Sequence, residues 1–255
     1  MPDWLTQHTF IHSPHALVLA VIGAVLIGMA KAGLSGCGLA SVLLFADAFG
    51  AKTSTGLVLP LLIAADGMGY YLLSAHGRWR QIVPLVPPAI AGVVLGWWLL
   101  DKLDNHLART TIGWLILALL ALKLVIDWRR QQLKDLHRHH GFTWCMGIMA
   151  GAVTMLANAA GPVMTVYLLA KRFDKGEYLG VFTRFFLFIN LVKVPFSANI
   201  GLINGPSLLT NLLLLPAVAL GAALGWRLVK VMSQRVFEWM VFGFAALAAL
   251  RLVAG

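Results

Sequence analysis

Apolar stretches long enough to cross a lipid bilayer recur along the whole chain, and they constrain its fold more than any other feature. A helix needs about 20 such residues to cross roughly 30 Å of hydrocarbon. Only 12% of the residues are charged, against about 25% in a typical globular domain. The stretches cover residues 14–49, 53–74, 81–100, 107–126, 141–170, 177–200, 207–229 and 236–253. We therefore predict an all-α fold, a polytopic helical membrane bundle that forms one domain over residues 1–255.

The basic residues predict the orientation of this bundle. Lysine and arginine concentrate in alternate loops, which can therefore all lie on the cytoplasmic side, as the positive-inside rule requires. The residues in these loops are Arg78, Arg80, Arg129, Arg130, Lys134, Arg138, Lys171, Arg172, Lys175, Arg227, Lys230 and Arg235. Both termini are then predicted to lie outside. This asymmetry also explains the net charge of +10 without a nucleic-acid partner.

The two halves of the chain resemble each other. The segment AIAGVVLGW at 89–97 is similar to AVALGAALGW at 217–226, and LLALKLV at 119–125 is similar to LAALRLV at 247–253. Gly28 and Gly38 also have the same spacing as Gly151 and Gly161. Similar halves that each cross the membrane an odd number of times must have opposite orientations.

We therefore predict two inverted repeats, at about 14–127 and about 141–254, joined by a basic cytoplasmic loop at about 127–140. Each repeat is expected to contain one broken or re-entrant helical hairpin and three further spans. Secondary transporters with this organisation bind their substrate near the bilayer midplane, where the repeats meet.

The first and fifth apolar stretches are too long for one ordinary span. They contain GMAKAGLSGCG at 28–38 and GAVTMLANAAGP at 151–162. Glycine weakens a helix and proline disrupts its interior, so we predict helix breaks near 35–38 and 158–162. Free backbone amides at a helix start attract anions. The alternative reading is close packing of small residues between continuous helices.

The span 177–200 carries polar groups among apolar ones. Thr183, Asn190 and Lys193 lie on one helical face, and ionisable groups within a membrane usually face a cavity or a partner. Snorkelling of Lys193 to the interface is the competing reading. Arg184 lies off this face, at about the depth expected for Asp66 on an antiparallel span. We predict an Asp66–Arg184 ion pair, with a structural role and a coupling role both open.

The stretch FFLFINLVKVPFSANIGLI at 185–203, together with the glycine-rich breaks and the basic central loop, resembles the TauE/SafE sulfite exporter family. This family is also called the toluene-sulfonate uptake permease family and is DUF81-like. Its members often have three consecutive glycines in the first break, which Cys37 interrupts here. The resemblance implies a transporter, not an enzyme, that moves sulfite, organosulfonates or related small anions across a bacterial inner membrane. It fixes neither the substrate nor the direction.

These observations together predict an anion site at the interface of the repeats. The expected substrate-binding residues are Ser35, Gly36, Cys37, Gly38, Asn158, Gly161, Thr183, Asn190 and Lys193. No catalytic residue, metal or cofactor is expected. The expected partners are the small anion and the lipid bilayer, and homo-oligomerisation is left open. Two alternatives remain: a passive anion channel, and an intramembrane serine protease that uses Ser35 of the GLSG sequence at 33–36.

Overall fold

The computed structural model describes residues 3–32, 34, 37–73, 77–128, 140–171, 173, 175–231 and 250. Within these ranges every regular element is helical, which confirms the predicted all-α class. Two short 3-10 turns, Trp79–Gln81 and Val83–Leu85, precede α6. The α-helices are α1 (Asp3–His8), α2 (Pro14–Lys31), α3 (Cys37–Phe49), α4 (Ala51–Leu57), α5 (Leu59–Leu73), α6 (Val86–Lys102), α7 (Asn105–Trp128), α8 (His140–Ala157), α9 (Gly161–Ala170), α10 (Lys175–Asn199) and α11 (Gly205–Val231).

Several of these helices have the length and composition of membrane spans. Within the described part of the chain, four helical segments are long and apolar enough to cross a bilayer, and a bent pair of helices makes a fifth. The four segments are Pro14–Lys31, Trp79–Lys102, Gly176–Asn199 and Gly205–Leu228. The protein is therefore a multi-pass membrane protein, as predicted. The predicted span at 236–253 and most of the basic loop at 127–140 lie outside the described residues.

Both overlong apolar stretches are divided into two helices, and we call α2 with α3 the first hairpin and α8 with α9 the second hairpin. The first has α2 ending at Lys31 and α3 beginning at Cys37. The second has α8 ending at Ala157 and α9 beginning at Gly161. Asn158 follows α8 with a φ of 53°, a left-handed conformation that commonly ends a helix. Pro162 follows in the first turn of α9, where its missing N–H costs no helical hydrogen bond.

The chain also bends in the gap between the first two predicted apolar stretches, which end at residue 49 and resume at residue 53. The helix Cys37–Phe49 and the segment Ala51–Tyr71 meet at an angle of 118°. Gly50 lies between them with a φ of 84°, a conformation that favours glycine over any other residue. The chain therefore turns back after α3, and α5 lies beside the first hairpin.

Two close helix contacts join the halves of the chain. A Cβ atom added to Gly28 of α2 would lie 2.5 Å from the amide nitrogen of Ala222 on α11. A Cβ atom added to Gly151 of α8 would lie 2.9 Å from the amide nitrogen of Val93 on α6. Only glycine lets these backbones approach so closely. Positions that match in the sequence repeat thus make matching contacts, although the opposite orientation of the halves stays a prediction.

Candidate functional site

A cavity of about 60 Å³ lies where the two interrupted hairpins meet α10. Lys31 and Gly38 line it from the first hairpin, Asn158 and Gly161 from the second, and Asn190 from α10. By this measure a single water molecule needs roughly 10–15 Å³. The cavity therefore has room for a small ion of several atoms.

Two helices begin at the wall of this cavity. Gly38 and Ser41 from the first turns of α3 line it, as do Gly161 and Pro162 from the first turn of α9. The first N–H groups of a helix lack acceptors within the helix, and the helix dipole places partial positive charge there. Both helix starts therefore make the cavity favourable for negative charge.

Lys31 supplies a full positive charge to the same wall. Its Nζ lies 2.5 Å from Oδ1 of Asp66, and its side chain keeps 15% of its surface exposed. The ammonium also lies 4.7 Å from the ring centre of Phe186, within the range of a cation–π contact. Sequence reasoning missed Lys31 as a site residue. The signal was available, because a lysine well inside an apolar stretch is costly unless it is paired or functional.

Lys193 has different surroundings and is completely enclosed by protein. Its Nζ donates to Oγ1 of Thr154 and to Oδ1 of Asn190, each at 3.3 Å, and to Oδ1 of Asn158. An ammonium group has three hydrogen-bond donors. The three bonds therefore use the full capacity of Lys193 and hold the second hairpin against α10.

Asn190 connects the two lysines. Its Nδ2 donates to Oδ2 of Asp66 at 2.8 Å, while its Oδ1 accepts from Lys193. The result is a continuous polar chain from Lys31 through Asp66 and Asn190 to Lys193. Two cations and one carboxylate leave this cluster with one formal positive charge when all three groups are ionised.

Asn158 links the second hairpin to a further element. Its Nδ2 donates to the backbone carbonyl of Thr55 on α4 at 2.7 Å. The carbonyl belongs to the segment that follows the 118° bend. The side chain of Asn158 therefore joins α4 to the end of α8, while its oxygen accepts from Lys193.

The predicted Asp66–Arg184 ion pair is corrected by the structure, which pairs Asp66 with Lys31. Arg184 instead donates to the carbonyl of Gly180 at 3.0 Å and lies over the ring of Tyr70. The reason is helical depth. Arg184 precedes Asn190 by six residues, which is about 9 Å along α10, and Asp66 lies level with Asn190.

The remaining predicted site residues are distributed unevenly. Gly38, Asn158, Gly161 and Asn190 meet at the cavity. Cys37 is fully buried at the start of α3, in an apolar cluster with Met29 and Leu34. Thr183 packs toward α5, because its methyl group would lie 3.3 Å from a Cβ added to Gly69. Ser35 and Gly36, including the serine of the protease alternative, lie outside the described residues.

The described part of the chain contains no group of three or more His, Cys, Asp or Glu side chains that could hold a metal ion. The polar groups at the cavity include an ammonium group, side-chain amides and the first backbone N–H groups of α3 and α9. Groups of this kind can bind an anion through charge and hydrogen bonds.

Comparison with known proteins identifies the family. The family model described as sulfite exporter TauE/SafE matches residues 17–252, which is nearly the whole chain. No curated protein and no solved structure gives a significant match. The match covers both interrupted hairpins, α10 and all the cavity residues described above. The chain belongs to the sulfite exporter TauE/SafE family of membrane transporters.

Proposed function

We propose that the protein transports a small sulfur-containing oxyanion, of the sulfite or organosulfonate class, across the bacterial inner membrane. One observation carries this proposal: two helix starts and the ammonium of Lys31 converge on a single cavity between the hairpins. Family membership supports the substrate class. The proposal describes a carrier without enzymatic activity.

The chemistry of the cavity suits such a substrate. A sulfite or sulfonate group presents three oxygen atoms that accept hydrogen bonds. Lys31 supplies a compact charge, and the backbone amides that begin α3 and α9 supply neutral donors. One full charge with several neutral donors is expected to bind the anion without holding it irreversibly.

Lys193 and Asn190 have a supporting role in this proposal. The donors of Lys193 already bind Thr154, Asn158 and Asn190, so Lys193 adds positive potential without a direct bond to the anion. Asn190 binds Asp66 and lines the cavity. Lys31 is therefore the residue whose charge contacts the anion directly in this proposal. The bonds of Lys193 also explain why its loss should affect folding as well as transport.

The proposed topology places both termini outside and the two repeats in opposite orientations. Two contacts support the grouping of the loops. Gln81, beside Arg80, donates to Glu177 at the start of α10, and both segments belong to the predicted cytoplasmic side. Lys52 donates to the backbone carbonyls of Asp101 and Leu103 at the end of α6, on the predicted outer side.

Cysteine labelling tests this topology. Single cysteines at Arg80 and Lys102 should respond oppositely to an impermeant thiol reagent in intact cells, with only position 102 labelled. Labelling of both positions from outside would contradict the proposed orientation. A protein without its two native cysteines, Cys37 and Cys145, is the necessary background.

Transport by the purified protein in liposomes tests the function. Sulfite, sulfate and an organosulfonate should be compared in parallel, with an imposed ion or proton gradient. A carrier for this class accumulates sulfite or the sulfonate above its outside concentration, and loses that accumulation when the gradient collapses. Downhill flux that neither saturates with substrate nor shows counterflow would indicate a channel, and no flux of any of the three anions would contradict the proposal.

The protease alternative is tested separately. The native protein should not cleave a membrane-anchored reporter. If Ser35 contributes only backbone groups to the site, Ser35→Ala should leave the maximal rate of sulfite flux unchanged. Cleavage by the native protein that is lost in Ser35→Ala would overturn the assignment as a carrier.

A further inference from the structure

We propose that the carboxylate of Asp66 is an internal competitor of the substrate, and that the oxyanion displaces it from Lys31 on binding. This inference rests on the proposed function, because it takes the cavity to be the substrate site. It adds a defined role for Asp66, which lies behind the cavity wall rather than on it. Two anions, the tethered carboxylate of Asp66 and the transported oxyanion, then alternate as the partner of Lys31.

The geometry carries the first step. Oδ1 of Asp66 lies 2.5 Å from Nζ of Lys31, and the carboxylate has no exposed side-chain surface. Lys31 retains 15% exposure and lines the cavity. The same ammonium therefore faces the carboxylate on one side and the cavity on the other. An oxyanion in the cavity and the carboxylate of Asp66 must share or exchange its charge.

The second step concerns where the displaced carboxylate finds a partner. A buried charge that loses its partner is costly, so displacement requires an alternative. Asn190 donates to Oδ2 of Asp66 at 2.8 Å and accepts from Lys193 at 3.3 Å. Lys193 is thus separated from Asp66 by a single amide group. A modest shift of Asp66 toward Lys193 would keep the carboxylate paired while Lys31 turns to the substrate.

The third step links this exchange to the helices. Lys31 belongs to α2, Asp66 to α5, and both Asn190 and Lys193 to α10. Substrate binding would loosen the contact between α2 and α5 and strengthen the contact between α5 and α10. Substrate binding would therefore change the contacts that hold the first hairpin. A conformational cycle requires such a difference in contacts between its states.

Competition by a tethered carboxylate also predicts moderate affinity. The substrate gains the Lys31 charge only after it replaces an ion pair. Removing the carboxylate charge should therefore tighten substrate binding. Most substitutions at a binding site weaken it, so this direction distinguishes the proposal from a purely structural role of Asp66.

The test is calorimetric titration of sulfite into the purified protein, with wild type, Asp66→Asn and the double variant Lys31→Gln/Asp66→Asn. Asparagine keeps the shape of aspartate and can still bond to Asn190. We expect Asp66→Asn to bind sulfite at least tenfold more tightly than wild type. The double variant replaces the ion pair with two neutral amides and should lose that gain entirely, so that it binds sulfite more weakly than wild type.

The outcomes separate this inference from the proposed function. If wild type binds sulfite and a folded Asp66→Asn binds it equally or more weakly, displacement is overturned and the substrate site stands. If no variant binds sulfite, the proposed function fails and this inference fails with it. Difference infrared spectra of wild type give a readout that needs no variant to fold. Sulfite should shift the carboxylate bands of labelled aspartate, and unchanged bands would also overturn displacement.

Discussion

The two interrupted hairpins have the same glycine spacing but different polar chemistry. Lys31 stands three residues after Gly28, and Thr154 stands three residues after Gly151. In the first hairpin this position holds a cation that faces the carboxylate of Asp66. In the second it holds a neutral hydroxyl that accepts from Lys193. The same position thus carries a cation in the first hairpin and a neutral hydrogen-bond acceptor in the second.

This difference separates shared architecture from function. The glycines set how closely each hairpin packs against the other half of the chain, and they do so in both hairpins. The residue three positions later sets the charge. Lys31 of the first hairpin brings a charge to the cavity wall, whereas Thr154 and Asn158 of the second hairpin accept hydrogen bonds from Lys193. We therefore expect substitutions of the polar side chains Thr154 and Asn158 in the second hairpin to affect stability most, and substitution of Lys31 in the first to affect anion binding most.

Lys193→Met should give the largest effect. The change removes the three donors that hold Thr154, Asn158 and Asn190, and it leaves their buried oxygens without this partner. Thr154 and Asn190 are buried, and each unsatisfied buried group costs about 1–3 kcal/mol, so the loss of stability should be on the order of 2–6 kcal/mol. Thermal melting in detergent measures it. A Lys193→Met protein that melts like wild type would show that the second hairpin does not depend on this brace.

Gly28→Ala and Gly151→Ala should destabilise the protein to a similar extent. Each added methyl group meets backbone atoms of the facing helix, which cannot move aside as a side chain can. Overpacking of this kind costs roughly 1–3 kcal/mol. Gly38→Ala is the matched control, because its methyl group would make only an ordinary contact with Ala30 at 3.8 Å. A large effect at Gly28 with none at Gly151 would break the proposed equivalence of the two contacts.

Substitutions of Asn158 separate its backbone role from its side-chain role. Both Asn158→Gly and Asn158→Ala lose the bonds to Thr55 and Lys193. Only alanine also has a Cβ in the left-handed conformation, which costs roughly 1–2 kcal/mol. The glycine variant should therefore be the more stable of the two by about that amount in chemical unfolding. Equal stabilities would show that the helix end relaxes to another conformation.

Gly161→Ala should give the smallest change in stability and a clear change in binding. A Cβ atom added at this position meets no atom within 4 Å, and the residue lines the cavity. The methyl group should occupy part of the substrate volume and weaken sulfite binding by about tenfold, or about 1.4 kcal/mol. Melting should stay within a few degrees of wild type. Unchanged sulfite affinity would place the substrate away from the start of α9.

Much of the fold could be predicted from the sequence, because membrane helices depend on long apolar runs and on few other signals. Breaks within the two overlong stretches were also predictable, since glycine, asparagine and Pro162 mark them. The bend at Gly50 falls in the gap between two predicted apolar stretches, 14–49 and 53–74, but its angle of 118° could not be predicted from one glycine. The pairing of Asp66 was missed because depths on two different helices can be compared only approximately from sequence. Arg184 was predicted to lie level with Asp66, whereas Asn190, six residues further along α10, lies there instead.

Sulfite binding by the double variant Lys31→Gln/Asp66→Asn tests the central claim most directly. This variant removes the cation from the cavity without leaving a buried carboxylate unpaired, so it should melt close to wild type. Lys102→Gln is the control for the loss of a lysine elsewhere, because Lys102 contacts the ring of Trp98 at the end of α6, away from the cavity wall. By calorimetry the double variant should bind sulfite at least tenfold more weakly than wild type, and Lys102→Gln should bind it equally well. A folded double variant with wild-type sulfite affinity would contradict the assignment of Lys31 as the charge that holds the substrate.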